Sequence, residues 1–500
     1  MQRMNRAPAW VMDCFSYTLK PLDTKFTIRE PVNMSLKSTS ARAYRLRPML
    51  IALIASLPTI ASGADPTGVE LLRRLEKLEE RLGRVELENT RLREQLKLRS
   101  KRQSSEETRV AKAALPGVVP TYTNVNGDSL FKIRGVIDAD SIAFHEREGG
   151  YDFNSGTGLR RARIGLEGDA FMGQFKWRLE SDFAGNVVGL TDAYVQFVPV
   201  KPWTFTLGQH KAFLGLESNN SDNFNTFLER GMFNNAAGTA GAERRIGLSA
   251  FYGTDTLTAG FGVFGDNESA SRVATAPDES IGLSGRTTWA PIFEPGHILQ
   301  LGLSGYYRDD LKEGGFADAI RLSDRPNARV DGGTLADTGV IRQVESLSYL
   351  GLESTYIQGP LTLAGEYGRV VAARKAGLAD LVFDGYYVYG TWFLTGESRN
   401  LKVGSFNRLK PWRDFDWEKG TWGAFELAFR FDSFDFSETP VAINRGNQGK
   451  SVTAALNWYL NGNLKVMLNW VHFQGDRTPL DRIGNQTKGD AIAARLHLDW

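Results

Sequence analysis

The chain has 500 residues, and its 60 Lys and Arg stand against 58 Asp and Glu, a formal net charge of only +2. That balance excludes a protein that coats nucleic acid through bulk charge, and a mean hydropathy of −0.30 excludes a bundle of membrane helices. A single cysteine, Cys14, excludes an intrachain disulfide and a cysteine metal cluster.

Only one N-terminal stretch is strongly apolar, Met49 to Leu57. It is too short to span a bilayer, which takes about 20 apolar residues. Lys37, Arg42, Arg45 and Arg47 precede it, and Ser62, Gly63 and Ala64 follow. That order is the basic, apolar and small-residue order of a secretory signal peptide over 34–64, with cleavage expected after Ala64. Met34 would start it naturally, so 1–33 reads as an over-extended start or a separate extension. Cys14 lies in that region, and the processed chain is then free of cysteine, which suits an oxidising compartment.

Leu71, Leu75, Leu78, Leu82, Val85, Asn89, Leu92 and Leu96 follow spacings of four and three. Such a seam predicts a short α-helical coiled coil over 68–98, with Asn89 as a polar register device. Residues 99–128 are polar with scattered Pro and Gly, and read as a linker.

From residue 130 to residue 500 the period drops to two. In Gln174-Phe175-Lys176-Trp177-Arg178-Leu179-Glu180-Ser181-Asp182-Phe183 apolar and polar residues alternate almost without a break. The pattern recurs in about sixteen segments, each near the length a tilted membrane strand needs. Among the segments are Phe131–Asp140, Arg161–Ala170, Leu257–Phe264, Leu299–Arg308, Leu361–Val371 and Leu464–Phe473. No helical pattern separates them, and Trp289, Tyr307, Tyr356, Tyr367, Trp392, Trp458, Trp470 and Trp500 fall near strand ends on the apolar phase. A β-sandwich also alternates, but an uninterrupted run with aromatic girdles predicts an all-β, closed antiparallel transmembrane β-barrel. Only closure satisfies every backbone group in lipid, and the charged alternate positions then face a wet lumen. Short turns such as Asn461-Gly462-Asn463 are expected on the periplasmic side. The long polar stretches 309–345 and 395–420 are expected to be external loops or an inward-folded constriction. An alternating last strand ending on Trp500 looks like the signal read by the outer-membrane barrel assembly machinery.

Several segments in order resemble the phosphate-selective porin O and P family. They are Leu159–Gly168, Leu190–Val195, Leu207–Lys211, Gly215–Ser218, Leu228–Arg230, Leu456–Leu460 and the final strand. The resemblance covers roughly 130–500. It implies a sixteen-stranded homotrimeric barrel in the outer membrane of a Gram-negative cell, its coiled coil in the periplasm, passing small anionic solutes such as phosphate or polyphosphate. Carried over by position, it implies an anion site of Arg134, Arg160, Arg161, Arg230 and the acidic partner Asp192. Ser218 stands where phosphate-selective members carry a lysine, while Arg163 and Lys211 stand where two tyrosines shape their site. Anion preference survives these departures better than phosphate specificity does. By strand phase Arg134, Arg161 and Arg163 share the lumen-facing side, and Arg160 falls on the other unless the strand bends.

Arginine keeps its charge at any working pH and offers a planar fork of donors to an oxyanion. The competing reading is a lattice of Arg161, Arg163, Asp192 and Glu167 that braces the wall. Two other classes remain: a barrel tethered to the cell wall through its coiled coil, and an outer-membrane enzyme. The enzyme lacks support, since the five histidines are dispersed and Gly-x-Ser-x-Gly is absent. No cofactor, metal or nucleic-acid partner is expected.

Overall fold

The computed structural model describes residues 121–123, 129–148, 151–241, 243–267, 279–440, 447–476 and 487–500, with isolated helical positions between 73 and 92. The region 1–33 and the signal peptide expected at 34–64 lie outside the described residues, as do most of the coiled coil 68–98 and of the linker 99–128. Within the stretch read as linker, Thr121–Thr123 pair antiparallel with Leu130–Lys132.

Sixteen strands build the wall. The first eight are β1 (Leu130–Glu148), β2 (Gly156–Ala170), β3 (Phe175–Asp182), β4 (Gly189–Phe197), β5 (Trp203–Lys211), β6 (Arg244–Gly253), β7 (Leu257–Phe264) and β8 (Gly282–Glu294). The second eight are β9 (His297–Asp309), β10 (Val344–Gln358), β11 (Leu361–Arg374), β12 (Leu381–Phe393), β13 (Ala424–Asp435), β14 (Gln448–Tyr459), β15 (Leu464–Gly475) and β16 (Thr487–Asp499). Each pairs antiparallel with the next, and β16 pairs back onto β1 from Val136↔Asp499 to Glu148↔Lys488. The sheet is therefore a closed barrel, and every segment predicted from alternation is one of its strands.

The alternation has a direct physical origin. In β7 every second residue is exposed, and Leu257, Phe261 and Val263 point outward while Thr258 is buried inside. Arg286, Glu353, Thr355, Glu366, Arg430 and Thr453 are likewise buried on the inner face. Apolar outside and polar inside inverts the order of a water-soluble protein, as a lipid-facing wall around a wet lumen requires. Trp289, Tyr307, Tyr356, Tyr367, Trp392 and Trp470 are exposed on the outer face. Closure uses the last residue: Gly135 N donates to Trp500 O at 3.1 Å, and Trp500 N donates back to Gly135 O at 3.0 Å. The indole covers Gly135, where a Cβ would sit 2.0 Å from the ring.

The wall is uneven. Strands β3–β7 have 8–10 residues, whereas the others have 12–19. Two long segments fold into the barrel from the loop end, 212–243 after β5 and 310–343 after β9. The first ends in helix α1 (Met232–Gly241). Met232, Phe233 and Ala236 of α1 are buried in one apolar cluster with Tyr349, Phe383, Phe434 and Phe436. Phe233 comes so close to β12 that a Cβ on Gly385 would lie 2.3 Å from it.

The long stretch around 395–420 is not an external loop. It connects β12 to β13 at the end that holds Trp500 and the short turns. Part of it folds inward, which was the other expectation. Arg399 donates to both carboxylate oxygens of Glu426 at 2.9 Å, and Gly404 O accepts from Arg286 at 2.8 Å.

Candidate functional site

Between residue 212 and helix α1 the chain makes only short helical turns, Leu216–Asn219 and Asp222–Phe224, so most of its buried carbonyls need other donors. The wall supplies them. Lys211 Nζ donates to Ser218 O at 3.0 Å and Asn220 O at 2.8 Å. Lys465 Nζ donates to Asn223 O at 3.1 Å and Asn225 O at 3.0 Å. Asn457 serves Thr226 O, Arg495 serves Leu228 O, and Arg430 serves Glu229 O, at 2.8, 2.6 and 2.9 Å. On β11, Glu366 accepts from Glu217 N at 3.0 Å.

The segment is thereby held across the lumen, and it presents Asp222 to a group of arginines. Arg161 Nε reaches the Asp222 carboxylate at 3.2 Å and Arg163 at 2.9 Å, and Arg230 pairs with its other oxygen. Two cavities meet there, of about 300 and 400 Å³. The first opens toward the loop end and is lined by the cationic Arg160, Arg161, Arg163, Lys211, Arg230 and Arg244 against Asp222 and Glu243. The second lies toward the turn end, beside Tyr194, Thr204 and Phe251, and includes Arg134, Arg178 and Asp192. Arg163, Lys211, Asp222 and Arg244 border both.

The residues singled out in the sequence therefore fall on one side of the lumen but at two levels. Arg160, Arg161, Arg163, Lys211 and Arg230 surround the loop-end cavity, and Arg134 and Asp192 the turn-end one. Arg134 pairs with Glu167 at 3.1 Å and Glu180 at 3.0 Å. Arg160 and Arg161 both face inward because the register slips between Asp138↔Arg161 and Ala139↔Leu159. The extra residue is a β-bulge, which turns two successive side chains to one face. Arg160 then pairs with Glu229 at 2.8 Å and Arg161 with Asp138 at 2.8 Å.

Asp192 does not touch Arg161, Arg163 or Arg230; it pairs with Arg244 at 2.7 Å and lies 3.7 Å from Arg178. The carboxylate that gathers those three arginines is Asp222, which the sequence reading missed. It sits in a polar run with no strand phase, and only the tertiary fold brings it into place. Arg244 was missed by one residue of strand boundary, and the Glu243-Arg244-Arg245 run was the available signal.

Burial alone would raise the Asp222 carboxyl, but Arg161, Arg230, Lys211 and Arg163 hold it well below the ordinary carboxylate range. Glu229 is likewise buried, and Arg160, Arg329 and Arg495 keep it far below its usual value. Both carboxylates are therefore charged at neutral pH.

A closed sixteen-stranded barrel with an apolar exterior, a charged lumen and an inward-folded segment beside aqueous cavities defines an outer-membrane porin. The chain belongs to the phosphate-selective porin O and P family, whose profile matches residues 131–500. A protein of Caulobacter vibrioides described as uncharacterized is 30% identical, over 92% of this chain and 98% of its own length. Porin O of Pseudomonas aeruginosa is 25% identical, over 73% of this chain and 87% of its own. Among solved structures, the anion-selective porin from Comamonas acidovorans shares 14% identity with a TM-score of 0.45, covering 74% of this chain and 100% of that one.

Proposed function

We propose that the chain is a passive channel for small anions, phosphate and polyphosphate among them. The observation that carries this reading is the loop-end cavity, where six cationic side chains face two carboxylates. In a narrow low-dielectric passage such an excess focuses a positive potential and draws anions in. The arginines divide into two kinds. Arg161 is only 4% exposed and is tied to two carboxylates, so it braces the wall. Arg160, Arg230 and Arg244 keep 25, 19 and 22% of their side chains exposed and can offer donors to a passing oxyanion. Asp222 competes for the same donors, so an anion is held weakly enough to leave.

We further propose that the working unit is a homotrimer. The short strands β3–β7 carry the exposed Leu179, Val195, Leu207, Leu248 and Phe261. A wall this low is barely long enough for the bilayer core, which takes about 9–11 residues per strand, and a neighbouring protomer would cover it. The heptad seam supports the same assembly from the periplasm, and the alternating strand ending on Trp500 would be the part read by the barrel assembly machinery.

Titrating inorganic phosphate into chloride solution while recording single-channel current in planar bilayers tests the anion site. Phosphate should reduce the chloride current, and Asp222→Asn should lower the half-blocking concentration about tenfold, the equivalent of one lost competitor for a charge-assisted hydrogen bond. Chloride current untouched by phosphate in both proteins would overturn the site.

A further inference from the structure

The segment between β12 and β13 has a second end that the channel function does not use. Beyond its inward-folded part it returns to the outside of the barrel as Lys410-Pro411-Trp412-Arg413-Asp414-Phe415-Asp416-Trp417-Glu418-Lys419-Gly420-Thr421-Trp422. Trp412, Trp417 and Trp422 are 73, 77 and 53% exposed, among the most exposed large apolar side chains of the described residues. Exposure on that scale is costly in water and calls for a partner.

The patch is continuous with the lipid-facing wall. Trp417 meets Trp422 edge to face at 6.0 Å, Trp422 lies 6.0 Å from Phe415, and Phe415 lies 5.5 Å from Trp458 of β14. Trp458 in turn stacks on Phe425 of β13 at 5.8 Å, and its indole N–H donates to Trp422 O at 2.6 Å. An unbroken aromatic path therefore runs from the outer face of the strands onto the loop. Interleaved with it are Lys410, Arg413 and Lys419 against Asp414, Asp416 and Glu418, so the foot has no net charge. Indole rings amid balanced charges suit the layer where headgroups carry both signs, and they do not suit a strongly anionic surface.

We propose that this foot binds the headgroup layer of a zwitterionic phospholipid leaflet at the turn end of the barrel. It extends the aromatic girdle from the strands onto a loop. It also ties lipid to lumen, because the same segment carries Arg399, which donates to Phe224 O of the constriction at 3.2 Å. The lipid-seated end thus anchors a strut whose other end touches the segment bearing Asp222.

The only cysteine is Cys14, so a Cys14→Ser background accepts single labelled cysteines. Trp412→Cys and Trp417→Cys would carry an environment-sensitive fluorophore in vesicles of phosphatidylcholine and phosphatidylethanolamine. Lys419→Cys, on a side chain that is 78% exposed, is the position least able to disturb folding. Leu378→Cys, exposed between β11 and β12 at the loop end, is the control. The three foot positions should emit to the blue of the control and be quenched several-fold more by a headgroup-proximal spin-labelled lipid than by a chain-terminal one, in dilute and in molar salt. Water-like emission without quenching would overturn the proposal. Blue-shifted emission insensitive to the lipid quencher would also overturn it, in favour of a second copy of the chain. Quenching that needs anionic lipid or disappears in salt would overturn the zwitterionic assignment.

Discussion

In the proposed channel Asp222 offsets part of the positive charge that the arginines show to a solute. Its depressed pKa means that it stays ionised as pH falls, and its contribution to stability is complete above the ordinary carboxylate pKa and lost only in strong acid. Around it the arginines should respond unequally. Arg161→Ala removes one partner each from the buried Asp138, which keeps His497 at 2.6 Å, and Asp222, which keeps Arg163 and Arg230, and losing one side of a buried pair costs up to about 3–5 kcal/mol. A large drop in thermal midpoint in detergent, with little change in ion preference, is expected. Arg230→Ala and Arg244→Ala should instead move the reversal potential toward cations with a smaller drop in midpoint, because both arginines are partly exposed, Asp222 keeps Arg161 and Arg163, and Asp192 keeps Arg178 at 3.7 Å. Identical behaviour of all three would show that no division between brace and site exists. Arg134, Arg161 and Arg163 were legible because strand phase alone turns them inward. The inward turn of Arg160 was not, since the bulge beside it is a property of how β2 meets β1. Asp222 was invisible for a related reason: a residue outside the strands, in a single short helical turn, is positioned by contacts from distant strands.

Elements outside the strands set the bore. Helix α1 is pinned where Phe233 approaches Gly385, and Gly385→Val would push it off the wall. Overpacking of this sort costs about 1–3 kcal/mol, and a larger single-channel conductance is the expected consequence. An unchanged conductance would mean that α1 does not narrow the passage. Segment 310–343 offers a pH handle. Burial pushes Asp324 up to about 6 against the opposing charge of Arg329. Asn235 of α1 donates to the Asp324 carboxylate at 3.0 Å, and Glu229 adds a like charge nearby. A carboxyl raised in the folded state binds more protons there than in the unfolded chain, so stability falls as pH rises through this range. Acidifying from about pH 7 to about pH 5 should gain the wild type on the order of 1 kcal/mol over Asp324→Asn, read as a difference in thermal midpoint. The sixteen strands were legible throughout, because lipid outside and water inside force a period of two. The partly inward course of 395–420 was only one of two expectations, since its polarity suits a loop in solvent as well as one lined by Arg399, Glu426 and Arg286.

At the scale of the molecule, closure and the proposed trimer assembly use different parts of the wall. Gly135→Leu should block the seat of Trp500 and leave β16 and β1 unpaired at the turn end. Loss of heat-modifiable migration on a gel would register it. Leu207→Glu with Leu248→Glu would put charge on the low wall, and dissociation of a trimer into folded monomers is expected there. The central claim is that the arginine-lined cavities make an anion channel, and the zero-current potential of the wild type across an asymmetric potassium chloride gradient tests it most directly. A potential displaced toward the chloride equilibrium value is expected. A potential near zero, or displaced toward the potassium value, would contradict the claim and leave the arginines as braces of the barrel.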